Sequence, residues 1–161
     1  MSIRMKVYFN VLAVITFIAL MTYLLDGANS LNRVKSPLVD GTKTIIDQDQ
    51  SGNFVTIGTI NDTTTSMLID TGATSVVVSE QIAERANLIL VSQVEVVTVN
   101  GTTKGYTTII KNLQIGNLSG ENIEAVIVPS VQISHTLIGM SFLEKVDFEK
   151  YGSQLILRPQ Q

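Results

Sequence analysis

Asp70 follows Leu68-Ile69 and precedes Thr71-Gly72-Ala73-Thr74, so an acidic side chain stands where a branched apolar run meets a turn. A carboxylate at the end of a buried strand is costly unless donors surround it. The turn offers such donors in the Gly72 and Ala73 amides and the Thr71 hydroxyl. A carboxylate held in this way is a candidate acid or base. Chemistry that needs two of them would have to borrow the second from another copy of the chain, because this turn occurs once. Asp40-Gly41-Thr42 carries the same residue types in the wrong order.

The elements that must position Asp70 are strands. Asn53 to Ile60 and Thr65 to Ile69 are strand-like runs separated by the turn signal Asn61-Asp62. Val76-Val77-Val78 reads as a short buried strand, after which Ser79 can cap a helix running to Arg85 or Ala86. Val91 to Val99 and Thr102 to Ile110 flank Asn100-Gly101, a strong hairpin signal. Further strands are expected at Leu113 to Ile115 and Ile123 to Val128, with Gly116 and Gly120 in the connection. Ser141 to Lys145 reads as a short helix, and a last hairpin is expected from Asp147 to Leu157, turning near Tyr151-Gly152. Short strands at close spacing with one or two short helices predict an all-β barrel or sandwich.

The chain has 161 residues, enough for one modest domain and an appendage. Residues 1–6 form a short tail carrying Arg4 and Lys6. Residues 7–25 are apolar but for Asn10 and two threonines, long enough to cross a bilayer as a helix. The basic tail favours a cytoplasmic amino terminus, although Arg33 and Lys35 lie close on the other side. A cleaved signal peptide is the competing reading, since Ala28-Asn29-Ser30 has the required small residues. The apolar run exceeds the ~7–15 residues of a signal-peptide core, which favours an uncleaved anchor. Residues 26–50 are polar, contain Pro37, and read as a linker with a short strand at Thr44-Ile45-Ile46. Residues 51–161 form the globular domain.

A net charge of −3 and a pI near 5.0 argue against nucleic acid as a partner. With no cysteine and one histidine, His135, the chain has no disulfide, thiol nucleophile or Cys/His metal site. Asp47, Asp49, Ser51 and Gly52 follow the first half of a calcium loop, but Gly58 stands where the closing glutamate belongs. Neither a metal nor a cofactor is expected. Gly139-x-Ser141 lacks the second glycine of a nucleophile elbow. His135 is expected to face solvent from a polar loop. Asn61, Asn100 and Asn117 each begin an N-x-S/T triplet, and all three read more simply as turn residues.

Thr136-Leu137-Ile138-Gly139-Met140-Ser141-Phe142-Leu143 supplies two apolar residues and a glycine ahead of a short helix. With the Asp70 turn and the hairpin at Asn100-Gly101, it gives residues 51 to about 158 a resemblance to the retropepsin-like aspartic proteases. The segments around Val97 to Gly101, Gly139 to Leu143 and Phe148-Glu149 are similar to a bacterial, membrane-anchored branch of that family. The resemblance implies a single-lobe acid-protease barrel with a flap hairpin, preceded here by one transmembrane helix. It implies Asp70 as the catalytic residue, with Thr71, Gly72 and Ala73 supporting the turn. Thr71 would bond across a dimer axis, and Gly72 would supply unusual backbone dihedrals. Asn100, Gly101 and Thr102 become flap residues, and Leu137, Ile138 and Gly139 form a loop crossing beneath the active site. The polar, glycine-poor hairpin tip departs from many viral flaps.

The activity so implied is hydrolysis of peptide bonds by water activated between Asp70 and its symmetry mate in a homodimer. Ala73 replaces a hydroxyl that some relatives place beside the carboxylate, which predicts an optimum nearer mild acid to neutral. The implied partners are a second copy, a peptide or protein substrate, and the membrane through residues 7–25. The implied location is the inner membrane of a bacterium with the protease domain on the periplasmic side. A cleaved, secreted form is the alternative. A different class of function, a retropepsin-like module that binds peptides by strand addition without cutting, leaves an intact Asp-Thr-Gly less well explained.

Overall fold

The computed structural model describes residues 34–98, 101–129 and 135–160. The chain divides into two units, Met1–Arg33 and Val34–Gln161. The tail at 1–6 and the apolar stretch at 7–25 lie outside the described residues. Among the described residues no helix is long and apolar enough to cross a membrane.

Asn61 and Asp62 adopt positive φ of 43° and 67°, the conformation a tight two-residue hairpin turn requires. They join β3 (Val55–Ile60) to β4 (Thr63–Ile69) with Ile60 opposite Thr63. β5 (Val76–Ser79) ends on Ser79, whose hydroxyl accepts from the Ile82 amide at 3.3 Å and starts α1 (Glu80–Arg85). β6 (Gln93–Thr98) and β7 (Gly101–Ile115) form a long hairpin, and β8 (Leu118–Val128) returns along β7. β9 (Thr136–Ile138) leads into α2 (Met140–Leu143), and β10 (Val146–Tyr151) and β11 (Gln154–Pro159) close the chain.

The larger sheet has the order β3-β4-β9-β5-β8-β7-β6, and a second pairing of β3 with β7 curls six of these strands into a closed barrel. β6 remains outside the ring, attached to β7. Ile60, Met67, Ile110, Ile138 and Phe142 fill the core with no exposed surface. Burial of this apolar area, rather than intrinsic strand preference, fixes the register, since a one-residue slip would turn these side chains outward.

A four-stranded sheet, β1-β2-β11-β10, packs beside the barrel, with β1 at Leu38–Asp40 and β2 at Lys43–Asp47. The strand expected at Thr44-Ile45-Ile46 therefore pairs with the carboxy-terminal strand, Thr44 opposite Leu157. From Val34 onward the segment read as linker is part of the same compact unit as the domain. Thr44 fixes this sheet to the barrel. Its hydroxyl bonds the Asn117 side chain and receives the Asn117 amide at 3.3 Å, and the Asn117 amide group reaches the Gly41 carbonyl. Asn61 likewise serves its turn, accepting from the Asn112 amide at 3.1 Å.

Two details of the strands and turns differ from the sequence reading. Gly120 lies within β8, because a Cβ there would come within 2.9 Å of Ile123 and 3.1 Å of Phe142. The last hairpin turns at Gly152-Ser153, one residue late, with Tyr151 opposite Gln154. Asp49 accepts the Ser51 and Asn53 amides, both at 2.8 Å, so its carboxylate caps a turn.

Candidate active site

Asp70 is the first residue beyond β4 and is half-buried. β4 runs parallel to β9, with Leu68 opposite Leu137 and Ile69 opposite Ile138. On its other side β9 meets β5 antiparallel, with Val77 opposite Leu137. The apolar-apolar-Gly segment thus threads between the strand that enters the Asp70 turn and the strand that leaves it. Ile138 is fully buried and Leu137 half-buried.

The turn is closed by its own backbone. Asp70 donates its amide to the Ile138 carbonyl at 3.0 Å, and its carbonyl accepts from the Ala73 amide at 3.2 Å. The carboxylate oxygen Oδ1 accepts from the Gly72 amide at 2.9 Å. Of the three expected donors, Gly72 reaches the carboxylate, Ala73 serves the Asp70 carbonyl instead, and Thr71 stands exposed at the tip. Gly72 has no left-handed φ. Its small size matters for proximity, since a Cβ would lie 3.2 Å from Asp70 Oδ1.

Gly139 is where the two segments cross. A Cβ at this position would sit 2.4 Å from the Ser75 carbonyl oxygen and 2.6 Å from that of Ala73, distances no side chain tolerates. Beyond it, Met140 donates to the Ala73 carbonyl at 2.8 Å and Ser141 to the Thr74 carbonyl at 2.9 Å. Sequence reasoning stopped at Gly139 and missed these two amides. The signal was present: a short helix without a capping side chain must place its first amides elsewhere.

The flap candidates are placed less fully. Thr98 pairs with Gly101 and Val97 with Thr102, so Gly101, expected in the turn, belongs to the strand that follows it. Asn100 lies outside the described residues. Gly101, at φ +109°, begins β7, and Gly101 and Thr102 are exposed. Val94, Val96, Thr103 and Gly105 share one hairpin face by alternation. At its base a Cβ on Gly105 would meet Val96 and Val126 at under 3 Å.

His135 is half-buried, and its Nδ1 lies 2.5 Å from the Ser66 hydroxyl rather than facing solvent. Ser66 precedes Asp70 by four positions on an extended strand, about 13 Å, so this pair does not join the Asp70 turn. Among the described residues no cluster of three or more His, Cys, Asp or Glu side chains could hold a metal ion.

An Asp-Thr-Gly turn seated over a strand threaded through a closed six-stranded barrel defines the retropepsin-like aspartic protease fold. The sequence profile described as "gag-polyprotein putative aspartyl protease" matches residues 56–145, from β3 to just beyond α2, and the chain belongs to that family. A crystal structure of a retropepsin-like aspartic protease from Rickettsia conorii superposes with a TM-score of 0.63 at 24% identity, covering 73% of this chain and 100% of that one. The EIAV protease complexed with the inhibitor HBY-793 is more distant, with a TM-score of 0.48 at 20% identity over 60% of this chain and 89% of that one. An uncharacterized protein in the cobV 5′ region of a Sinorhizobium species is 30% identical over 72% of this chain. The match spans 56% of that relative's length.

Proposed function

We propose that the chain is a membrane-anchored aspartic endopeptidase whose catalytic dyad is Asp70 and the Asp70 of a second copy. The observation that carries this reading is the Asp70 carboxylate, bonded by the Gly72 amide in a turn that Ile138 and Gly139 underpin. Two such carboxylates held side by side share one proton, because both cannot ionise cheaply. The charged one takes a proton from water while the protonated one gives its proton to the carbonyl oxygen of the scissile amide. No covalent intermediate is required. The exposed Thr71 and Gly72 at the tip of the turn leave it free to meet its mate.

Residues 7–25 supply the membrane anchor, with the amino terminus cytoplasmic and the protease domain periplasmic. Nine positions separate Leu25 from Val34, at most about 30 Å of extended chain. Two domains so tethered have a raised effective concentration for pairing.

The test compares the full-length chain in detergent with its Asp70→Asn form on a peptide library across about pH 3 to 8. The reading expects cleavage by the wild type alone, strongest from mild acid to neutral pH. Equal cleavage by both, or by neither, contradicts it. Binding of peptides by both without cleavage would favour the peptide-binding module.

A further inference from the structure

The structure assigns Ser141 as a positioning residue for the Asp70 turn, through a hydroxyl that joins the segment leaving the turn to β8. This assignment rests on reading Asp70 as catalytic. The Ser141 Oγ accepts from the Val76 amide at 3.0 Å and donates to the Glu124 carbonyl at 2.8 Å. The parallel pairing of β5 with β8 begins at Val76 opposite Ala125. The hydroxyl therefore stands where that ladder runs out, bridging the first amide of β5 to the carbonyl just before the paired stretch of β8. A hydroxyl suits the place because it donates and accepts at once.

The same residue donates its own amide to the Thr74 carbonyl at 2.9 Å. Ser141 thus ties down Thr74 and Val76, the downstream leg of the turn, while the Ile138 carbonyl holds the upstream leg at the Asp70 amide. The Gly72 amide lies between the two legs. Its aim at Asp70 Oδ1 depends on both. Val76 is fully buried, so without the hydroxyl its amide loses the side-chain partner that fixes it in a partly buried place. The backbone then relaxes at the turn, and the geometry of the carboxylate relaxes with it. The loss acts first on residues 71–76, which separates this role from a general loss of structure.

The experiment measures kcat and KM for the full-length chain and its Ser141→Ala, Ser141→Thr and Ser141→Cys forms, with hydrogen exchange followed over residues 71–76. Loss of one such bond is expected to lower kcat about tenfold in Ser141→Ala, with KM within about twofold of wild type. Ser141→Thr, which keeps the hydroxyl, is expected within about twofold of wild type, and Ser141→Cys between the two. Exchange over 71–76 is expected to rise in the order Thr, Cys, Ala. If Ser141→Ala does not fold, the Thr and Cys forms decide by the same order. A kcat for Ser141→Ala within about twofold of wild type, or a loss that Ser141→Thr shares, overturns the assignment. Asp70→Asn measured alongside separates the two claims: turnover that survives it overturns the proteolytic reading. The hydroxyl is then judged by exchange alone, where unchanged protection overturns it and raised exchange in Ser141→Ala upholds it.

Discussion

The Asp70 turn is gripped from both sides by chain that comes from far away in sequence, whereas among the described strands the hairpin of β6 and β7 joins the sheet through β7. At the turn, Ile138, Met140 and Ser141 bond Asp70, Ala73 and Thr74 through the backbone, and Gly139 crosses at closest approach. At the hairpin, β6 ends the sheet order beside β7 among the described strands, and Val97 is 84% exposed. The first arrangement holds the backbone on both sides of one carboxylate, the kind of support that positioned chemistry needs. The second leaves β6 as the outermost described strand, the kind of place where backbone bonds are most readily given up. Rigidity and looseness are thus distributed by the number of independent partners each segment has, and less by the residues within it.

Two glycines probe that contrast with the same substitution. Gly139→Ala is expected to cost about 3 kcal/mol or more in urea unfolding, because the added methyl would strike backbone oxygens that cannot move aside. Gly101→Ala should cost only about 1–2 kcal/mol, the strain of its positive φ, since nothing lies within 4 Å of the new Cβ. Equal costs at the two sites would show that the crossing is no tighter than the hairpin.

The terminal hairpin sets the lower end of the scale. Arg158 donates to Glu149 at 2.6 Å, and this hydrogen bond, with the attraction of the guanidinium, holds the Glu149 carboxyl below its ordinary range. A lowered carboxylate contributes stability above its unfolded value and loses it as pH falls through the folded one. Glu149 is exposed and Arg158 partly so, and solvent screens the pair, so the effect is small. Glu149→Gln is expected to lower Tm slightly at neutral pH and not at all in strong acid. A difference that grows toward acid pH would contradict the assignment.

What was legible in the sequence follows the same division. Asp70 at a strand end, the Asn61-Asp62 turn, the Ser79 cap and the apolar-apolar-Gly segment are local patterns, and each carries its own chemistry. The pairing of β2 with β11 was not legible, because Thr44 and Leu157 meet across almost the whole domain and neither marks the other. Gly120 and Gly72 were misjudged for a related reason. Their lack of a side chain answers to Phe142 in one case and to the Asp70 carboxylate in the other, and not to a turn. Gly101 was placed in a turn and lies in β7, since turn composition at Asn100-Gly101 names a neighbourhood and pairing alone names the register.

The claim that the two halves of the active site come from two chains is tested most directly by mixing. Full-length wild type is combined with the Asp70→Asn form, allowed to exchange partners, and assayed per wild-type chain. A dyad shared across a homodimer predicts that activity falls to about half in an equal mixture and about a quarter with a threefold excess of the variant, because random pairing leaves that share of wild-type chains together. Activity that stays constant as the variant is added would contradict it, and would mean that Asp70 acts within a single chain.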